Sequence, residues 1–111
     1  MRSRLLPVIL LAGACPLLAA AAGAPTVTVV QKDRSFSTAG LQVAPGTVVR
    51  FTNEDDFPHQ VHVSGPGLLF DSPLQELGQH TEVALPRSGL FLVRCGVHPK
   101  MRLTVTVRSE P

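Results

Sequence analysis

At 111 residues the chain has room for one compact domain and not for two, and ten Lys and Arg against eight Asp and Glu leave a formal charge of only +2. Arg2 and Arg4 are that excess, so residues 23–111 carry eight basic and eight acidic side chains, which excludes the basic footprint of a nucleic-acid binder. Of the two cysteines only Cys95 lies beyond residue 22, which excludes a disulfide-stapled scaffold as well.

Arg2 and Arg4, an apolar run from Leu5 to Leu18 and small residues to Ala24 have the layout of a secretory signal peptide, with cleavage expected after Ala22. The run is shorter than the roughly 20 apolar residues a spanning helix needs, so no transmembrane span is expected. Residues 1–22 are therefore read as the signal and 23–111 as a domain exported to the bacterial periplasm. A minor alternative is a lipoprotein anchored through Cys15, since Leu11-Ala12-Gly13-Ala14-Cys15 loosely resembles a lipidation box. Ala12 stands where Leu is expected, and Pro16 follows the Cys directly.

Thr26-Val27-Thr28-Val29-Val30-Gln31, Leu41-Gln42-Val43 and Thr47-Val48-Val49-Arg50-Phe51-Thr52 are rich in β-branched residues and read as strands. Lys32 to Ala39 is polar and predicts a loop around Phe36. Pro45-Gly46 has the residues a type I or II turn prefers at its centre. The acidic turn Asn53-Glu54-Asp55-Asp56 precedes Phe57-Pro58 and the alternating run His59-Gln60-Val61-His62-Val63. Period two puts His59, Val61 and Val63 on the inward face and sends Gln60 and His62 outward.

Leu68-Leu69-Phe70 is a short apolar piece between turns, and Gln75 to Gly78 could hold one turn of helix at most. His80 to Leu85 and Leu90 to Arg94 are strand-like, and Pro86-Arg87-Ser88-Gly89 between them reads as a hairpin connection. Arg102 to Arg108 alternates cleanly, with Leu103, Val105 and Val107 facing in. About seven or eight short strands, many Gly and Pro turns and no amphipathic helix predict an all-β Greek-key sandwich.

The chemistry is concentrated in Cys95-Gly96-Val97-His98-Pro99-Lys100-Met101, where a thiol, an imidazole and a thioether recur every third residue. A strand cannot bring positions i, i+3 and i+6 to one point, whereas a loop containing Gly and Pro can curl around an ion. A lone Cys or Met is ordinarily core, but an unpaired thiol in an exported protein, flanked by His and Met, is better explained as a metal-held thiolate. Two imidazoles, one thiolate and a weak thioether describe an electron-transfer copper centre, and His59 is the candidate for the second imidazole. Zinc is disfavoured because its structural sites are filled by Cys and His. His62 and His80 read as solvated surface residues.

With those four residues in hand, the chain resembles the cupredoxins, the small blue copper proteins. Val43-Ala44-Pro45-Gly46, Pro58-His59, Phe70-Asp71-Ser72, Gly89-Leu90-Phe91 and the loop from Cys95 to Met101 stand in the family's order. The resemblance implies one type 1 copper held by His59, Cys95, His98 and Met101, in a monomer that is not an enzyme. It implies a carrier that moves single electrons between periplasmic donor and acceptor proteins docking near His98. Two positions depart from the pattern: Gln60 stands where the family has Asn, and Gly96 where relatives often carry a hydroxyl. The tie usually made by that Asn is expected to be absent or rearranged. A copper chaperone or storage protein is the alternative function, although chaperones tend to expose more Met and His than this chain has.

Overall fold

A computed structural model describes residues 23–109; the signal-peptide expectation and Cys15 lie outside the described residues. Among the described residues nine strands form two sheets: β1 (Thr26–Lys32), β2 (Ser35–Phe36), β3 (Gly40–Val43), β4 (Thr47–Asn53), β5 (Val61–Gly65), β6 (Leu68–Asp71), β7 (His80–Leu85), β8 (Gly89–Cys95) and β9 (Arg102–Val107). One sheet has the order β2-β1-β4-β7, the other β3-β9-β8-β5-β6. Pairing is parallel for β1 with β4 and for β3 with β9, and antiparallel elsewhere.

The strand count exceeds seven or eight because the stretch expected to be a loop around Phe36 contains β2. Phe36 is buried there, edge-on to Phe51 with ring centroids 6.1 Å apart. The helical turn allowed at Gln75 does not form; Gln75 instead bridges to His59 in antiparallel fashion.

A second expectation is corrected at Pro86–Gly89. Turn residues there suggested a hairpin, but β7 pairs with β4 while β8 pairs with β5 and β9, so this connection crosses from one sheet to the other. The Ala44–Thr47 turn crosses between sheets in the same way; it is closed by the Thr47 N–H donating to the Ala44 carbonyl, with Gly46 at φ 92°. That positive φ fits the third position of a type II turn, where Gly carries no Cβ penalty.

The core follows from strand alternation. Val49, Phe51, Val83 and Leu85 from one sheet meet Val61, Val63, Phe91, Val93, Leu103, Val105 and Val107 from the other, all buried. The buried polar side chains are a different population: Gln31, Gln75, Asn53, Asp55 and His59 are linked in a chain of hydrogen bonds, Ser72 bonds to Gln60 and Val61, and Thr47 bonds to the Ala44 carbonyl. Such groups are tolerated in an interior only when they partner one another.

Candidate metal centre

Cys95 is the last residue of β8 and continues the inward face of Phe91 and Val93. Antiparallel register sets it opposite Val61, the first residue of β5. His59, two residues before Val61, keeps the inward parity because the chain remains extended there, with main-chain hydrogen bonds in both directions to Gln75 (3.1 and 2.7 Å). The imidazole is thereby fully buried, with Nδ1 3.5 Å from Cys95 Sγ. The predicted outward turn of Gln60 and His62 also holds, since both are only half-buried.

Two main-chain contacts join this strand to the loop. The Gln60 N–H donates to Cys95 Sγ at 3.4 Å, and the Gly96 N–H donates to the Gln60 carbonyl at 3.1 Å. Donation of this kind lowers charge on a thiolate sulfur, and it survives any change of side chain at position 60.

Between β8 and β9 the loop turns tightly, the Met101 N–H donating to the His98 carbonyl at 3.0 Å. Met101 is buried, whereas His98 is half-buried at the end of the sandwich. The His98 ring lies edge-on to His59 with centroids 5.2 Å apart, and Phe57 is edge-on to both at 5.3 Å. His98 Nε2 is buried with no hydrogen-bond partner among the described residues. The four predicted residues are thus gathered at one end of the molecule. They stop short of a finished cage: among the described residues, no three His, Cys, Asp or Glu side chains form a group ready to hold a metal ion.

Behind His59 stands a carboxylate that sequence reading passed over as part of an acidic turn. Asp55 Oδ2 lies 2.7 Å from His59 Nε2, and the same carboxylate accepts the N–H groups of Asp33 (2.7 Å) and Arg34 (3.2 Å). Burial pushes the Asp55 carboxyl up, but the hydrogen bonds from His59, Asp33 and Arg34 outweigh it and hold the group below the ordinary carboxylate range. With Nε2 engaged in this way, Nδ1 is the nitrogen of His59 left facing Cys95.

Asn53 braces this arrangement. Its Oδ1 accepts the Asp55 N–H at 2.7 Å, and its Nδ2 donates to the carbonyls of Phe57 (3.0 Å) and Gln75 (2.8 Å). The Gln75 side chain accepts from Gln31 Nε2 at 2.6 Å and donates to the Phe51 carbonyl and Thr81 Oγ1. The one local cue was the Asn-x-Asp spacing of an Asx turn; Gln31 and Gln75 gave no cue, because their partners are remote in sequence.

The departures at positions 60 and 96 compensate each other. Gln60 Nε2 donates to the Ser72 carbonyl at 2.9 Å, while Ser72 Oγ accepts the Val61 N–H at 2.9 Å, so the expected rearranged tie runs to Ser72. Its Oε1 occupies the space that a Cβ on Gly96 would need. His62 and His80 lie apart from the centre, His62 beside Asp71 at 2.6 Å and His80 beside Arg50 at 3.2 Å.

No protein-family model matches the chain. Among curated proteins it is 33% identical over 75 residues to amicyanin-alpha of Methylorubrum extorquens, covering 65% of this chain and 63% of that protein. It is 26% identical over 80 residues to the methylamine utilization protein MauL of Methylophilus methylotrophus, covering 69% of this chain and 46% of that one. The chain therefore spans less than two thirds of either relative. Among solved structures, a reduced mutant of amicyanin superposes with a TM-score of 0.70 at 26% identity, covering 81% of this chain and 89% of that chain. The Cu-containing nitrite reductase of Thermus scotoductus SA-01 matches with a TM-score of 0.70 at 28% identity, covering 78% of this chain but 23% of the enzyme.

A two-sheet sandwich of nine strands, matched this way in sequence and shape, makes the chain a cupredoxin-like protein, the class of the small blue copper proteins. Within that class the similarity is to amicyanin, over most of both chains in the structural match.

Proposed function

We propose that the chain is a one-electron carrier whose single type 1 copper is held by His59, Cys95, His98 and Met101. The observation that carries this reading is the pairing of buried His59 Nδ1 with Cys95 Sγ at 3.5 Å, while the opposite edge of the imidazole is held by Asp55. A carboxylate behind a histidine fixes its tautomer and aims its other nitrogen at a metal. The buried Nε2 of His98, without a hydrogen-bond partner among the described residues, also fits a metal donor. Two nitrogens, a thiolate and a thioether form a donor set suited to copper and poorly suited to zinc.

When bound, copper supplies a reversible one-electron couple. The protein residues supply the rest. His59 is held by its bridge to Gln75, Cys95 by the end of β8 and the Gln60 N–H, and half-buried His98 gives the centre a route to the surface. A carrier needs no substrate pocket, and similarity to amicyanin favours this role over that of an enzyme. The nitrite reductase similarity covers one part of a longer enzyme, and His62 and His80 are already engaged elsewhere. We extend the proposal to location: residues 1–22 direct export, residues 23–111 form the mature periplasmic domain, and a soluble monomer exchanges electrons with donor and acceptor proteins near His98.

The test is a visible spectrum of residues 23–111 after addition of copper(II). An intense thiolate-to-copper band at one copper per chain, absent in Cys95→Ser, is expected. A colourless complex, or a band that persists in Cys95→Ser, would overturn the assignment. Reversible cycling with no loss of the ion to an acceptor separates a carrier from a chaperone.

A further inference from the structure

We propose that the cleft beside His98, rimmed by Arg34 and Lys100, is the docking site for the acidic face of a redox-partner protein; the inference rests on the carrier reading and adds the chemistry of the partner. The cleft has a volume of about 340 Å³ and is lined by Arg34, Val97, His98, Pro99, Lys100 and Met101. A smaller hollow of about 180 Å³ shares Arg34, Lys100 and Met101 with it and adds Arg102. Among the described residues no carboxylate lines either hollow. Arg34, Lys100 and Arg102 take part in none of the ion pairs among the described residues. Three of the eight basic side chains of residues 23–111 therefore line these two adjoining hollows.

Arg34 is placed here at a cost. Asp33 and Arg34 form the turn between β1 and β2 with φ of 54° and 57°, a left-handed conformation that Asp tolerates and Arg seldom adopts. Residues held this way are strained, and they persist only where neighbours over-determine the backbone. Asp55 does so by accepting both N–H groups, and it also holds His59. The guanidinium then lies 5.5 Å from the centre of the Phe57 ring, which touches both histidines. A fixed positive charge therefore stands one aromatic ring away from the proposed electron route, next to Val97, which is 40% exposed.

Charges at the rim of an interface steer encounter and select partners by sign, and their effect falls as salt rises. An acidic protein surface fits this rim. The nearby acidic side chains Asp33, Glu54 and Asp56 are exposed but line neither hollow, and Asp55 is buried. An anionic membrane is the other negatively charged surface that could meet these cations. The cleft surrounds half-buried His98, the proposed electron route, and this favours a protein carrying its own redox centre.

The experiment uses the isotope-labelled protein, with or without copper, and an acidic [2Fe–2S] ferredoxin as probe, with a basic cytochrome c as the opposite-charge probe. Ferredoxin is expected to shift amide signals of Arg34, Val97, Lys100 and neighbours, and raised salt to weaken it. The double variant R34E/K100E should weaken binding about tenfold or more and favour cytochrome c instead. Arg87→Glu, on the Pro86–Gly89 connection, should leave it unchanged. Absence of ferredoxin binding, equal binding by the double variant, or shifts centred elsewhere would overturn the proposal. Co-sedimentation with phosphatidylglycerol vesicles that depends on Arg34 and Lys100 would overturn it in favour of a membrane. None of these readouts requires copper, so failure to form the coloured complex would count against the carrier reading separately.

Discussion

The Asp55 carboxylate and the His59 imidazole form a buried pair, 2.7 Å apart, at the point where a surface turn meets the candidate copper centre. Three donors converge on this one carboxylate: His59 Nε2 and the N–H groups of Asp33 and Arg34. Asn has the same shape but only one accepting oxygen, so in Asp55→Asn at least one donor faces an amide nitrogen. The imidazole loses its orienting partner and the turn loses a restraint. Copper affinity is expected to fall about ten- to hundredfold. Competition against a chelator of known affinity, followed through the thiolate band, measures this; affinity within twofold of wild type would show that Asp55 does not orient the ligand.

Gly96 and Gln60 make a reciprocal pair, so substitution at one should be read through the other. Gly96→Ala puts a methyl where Gln60 Oε1 lies, and the flexible amide must swing away, losing its bond to the Ser72 carbonyl. A loss of about 1 kcal/mol in stability is expected, the value of one hydrogen bond. Adding Gln60→Asn, one methylene shorter, should recover part of it. Urea denaturation of the four members of the cycle checks the coupling. Strictly additive effects would mean the two side chains do not compete for this space.

Much of this architecture is legible in residue order. The three-residue spacing of Cys95, His98 and Met101 ruled out a strand and left a loop, and period two put His59 inward with Val61 and Val63. Both inferences use backbone geometry, which acts locally and is the same in every protein. Sheet membership was not legible. Pro86–Gly89 carries turn residues whether the chain turns back on itself or crosses to the other sheet, because turn chemistry does not encode which strand comes next to which. The polar shell was hidden for a related reason: Gln31 and Gln75 are 44 positions apart, and a Gln on a strand resembles a solvated residue until its partner is seen.

That shell should matter for stability. Gln75→Leu keeps the approximate volume but removes the acceptor for Gln31 Nε2 and the donors to the Phe51 carbonyl and Thr81 Oγ1. Leaving buried polar groups unpaired costs about 2 to 3 kcal/mol here, whereas Gln42→Leu, at an exposed strand position, should change stability by less than about 0.5 kcal/mol. Chemical denaturation of the copper-free proteins compares the two directly. Equal effects would show that water reaches the Gln75 cluster.

Met101 offers the sharpest test of the fourth ligand position. The side chain is buried at the base of the loop, and its backbone N–H is held by the His98 carbonyl, so Met101→Leu should preserve the turn and nearly the same packing. Only the thioether is lost. If that sulfur is a weak donor, as the Cys-His-His-Met set implies, copper should stay bound through His59, Cys95 and His98, and the thiolate band should remain. Loss of a donor that favours the oxidised ion should raise the reduction potential. Voltammetry of wild type and Met101→Leu, with copper content measured in parallel, decides the point. An unchanged potential would place Met101 outside the donor set, and loss of the metal would make the thioether a principal ligand.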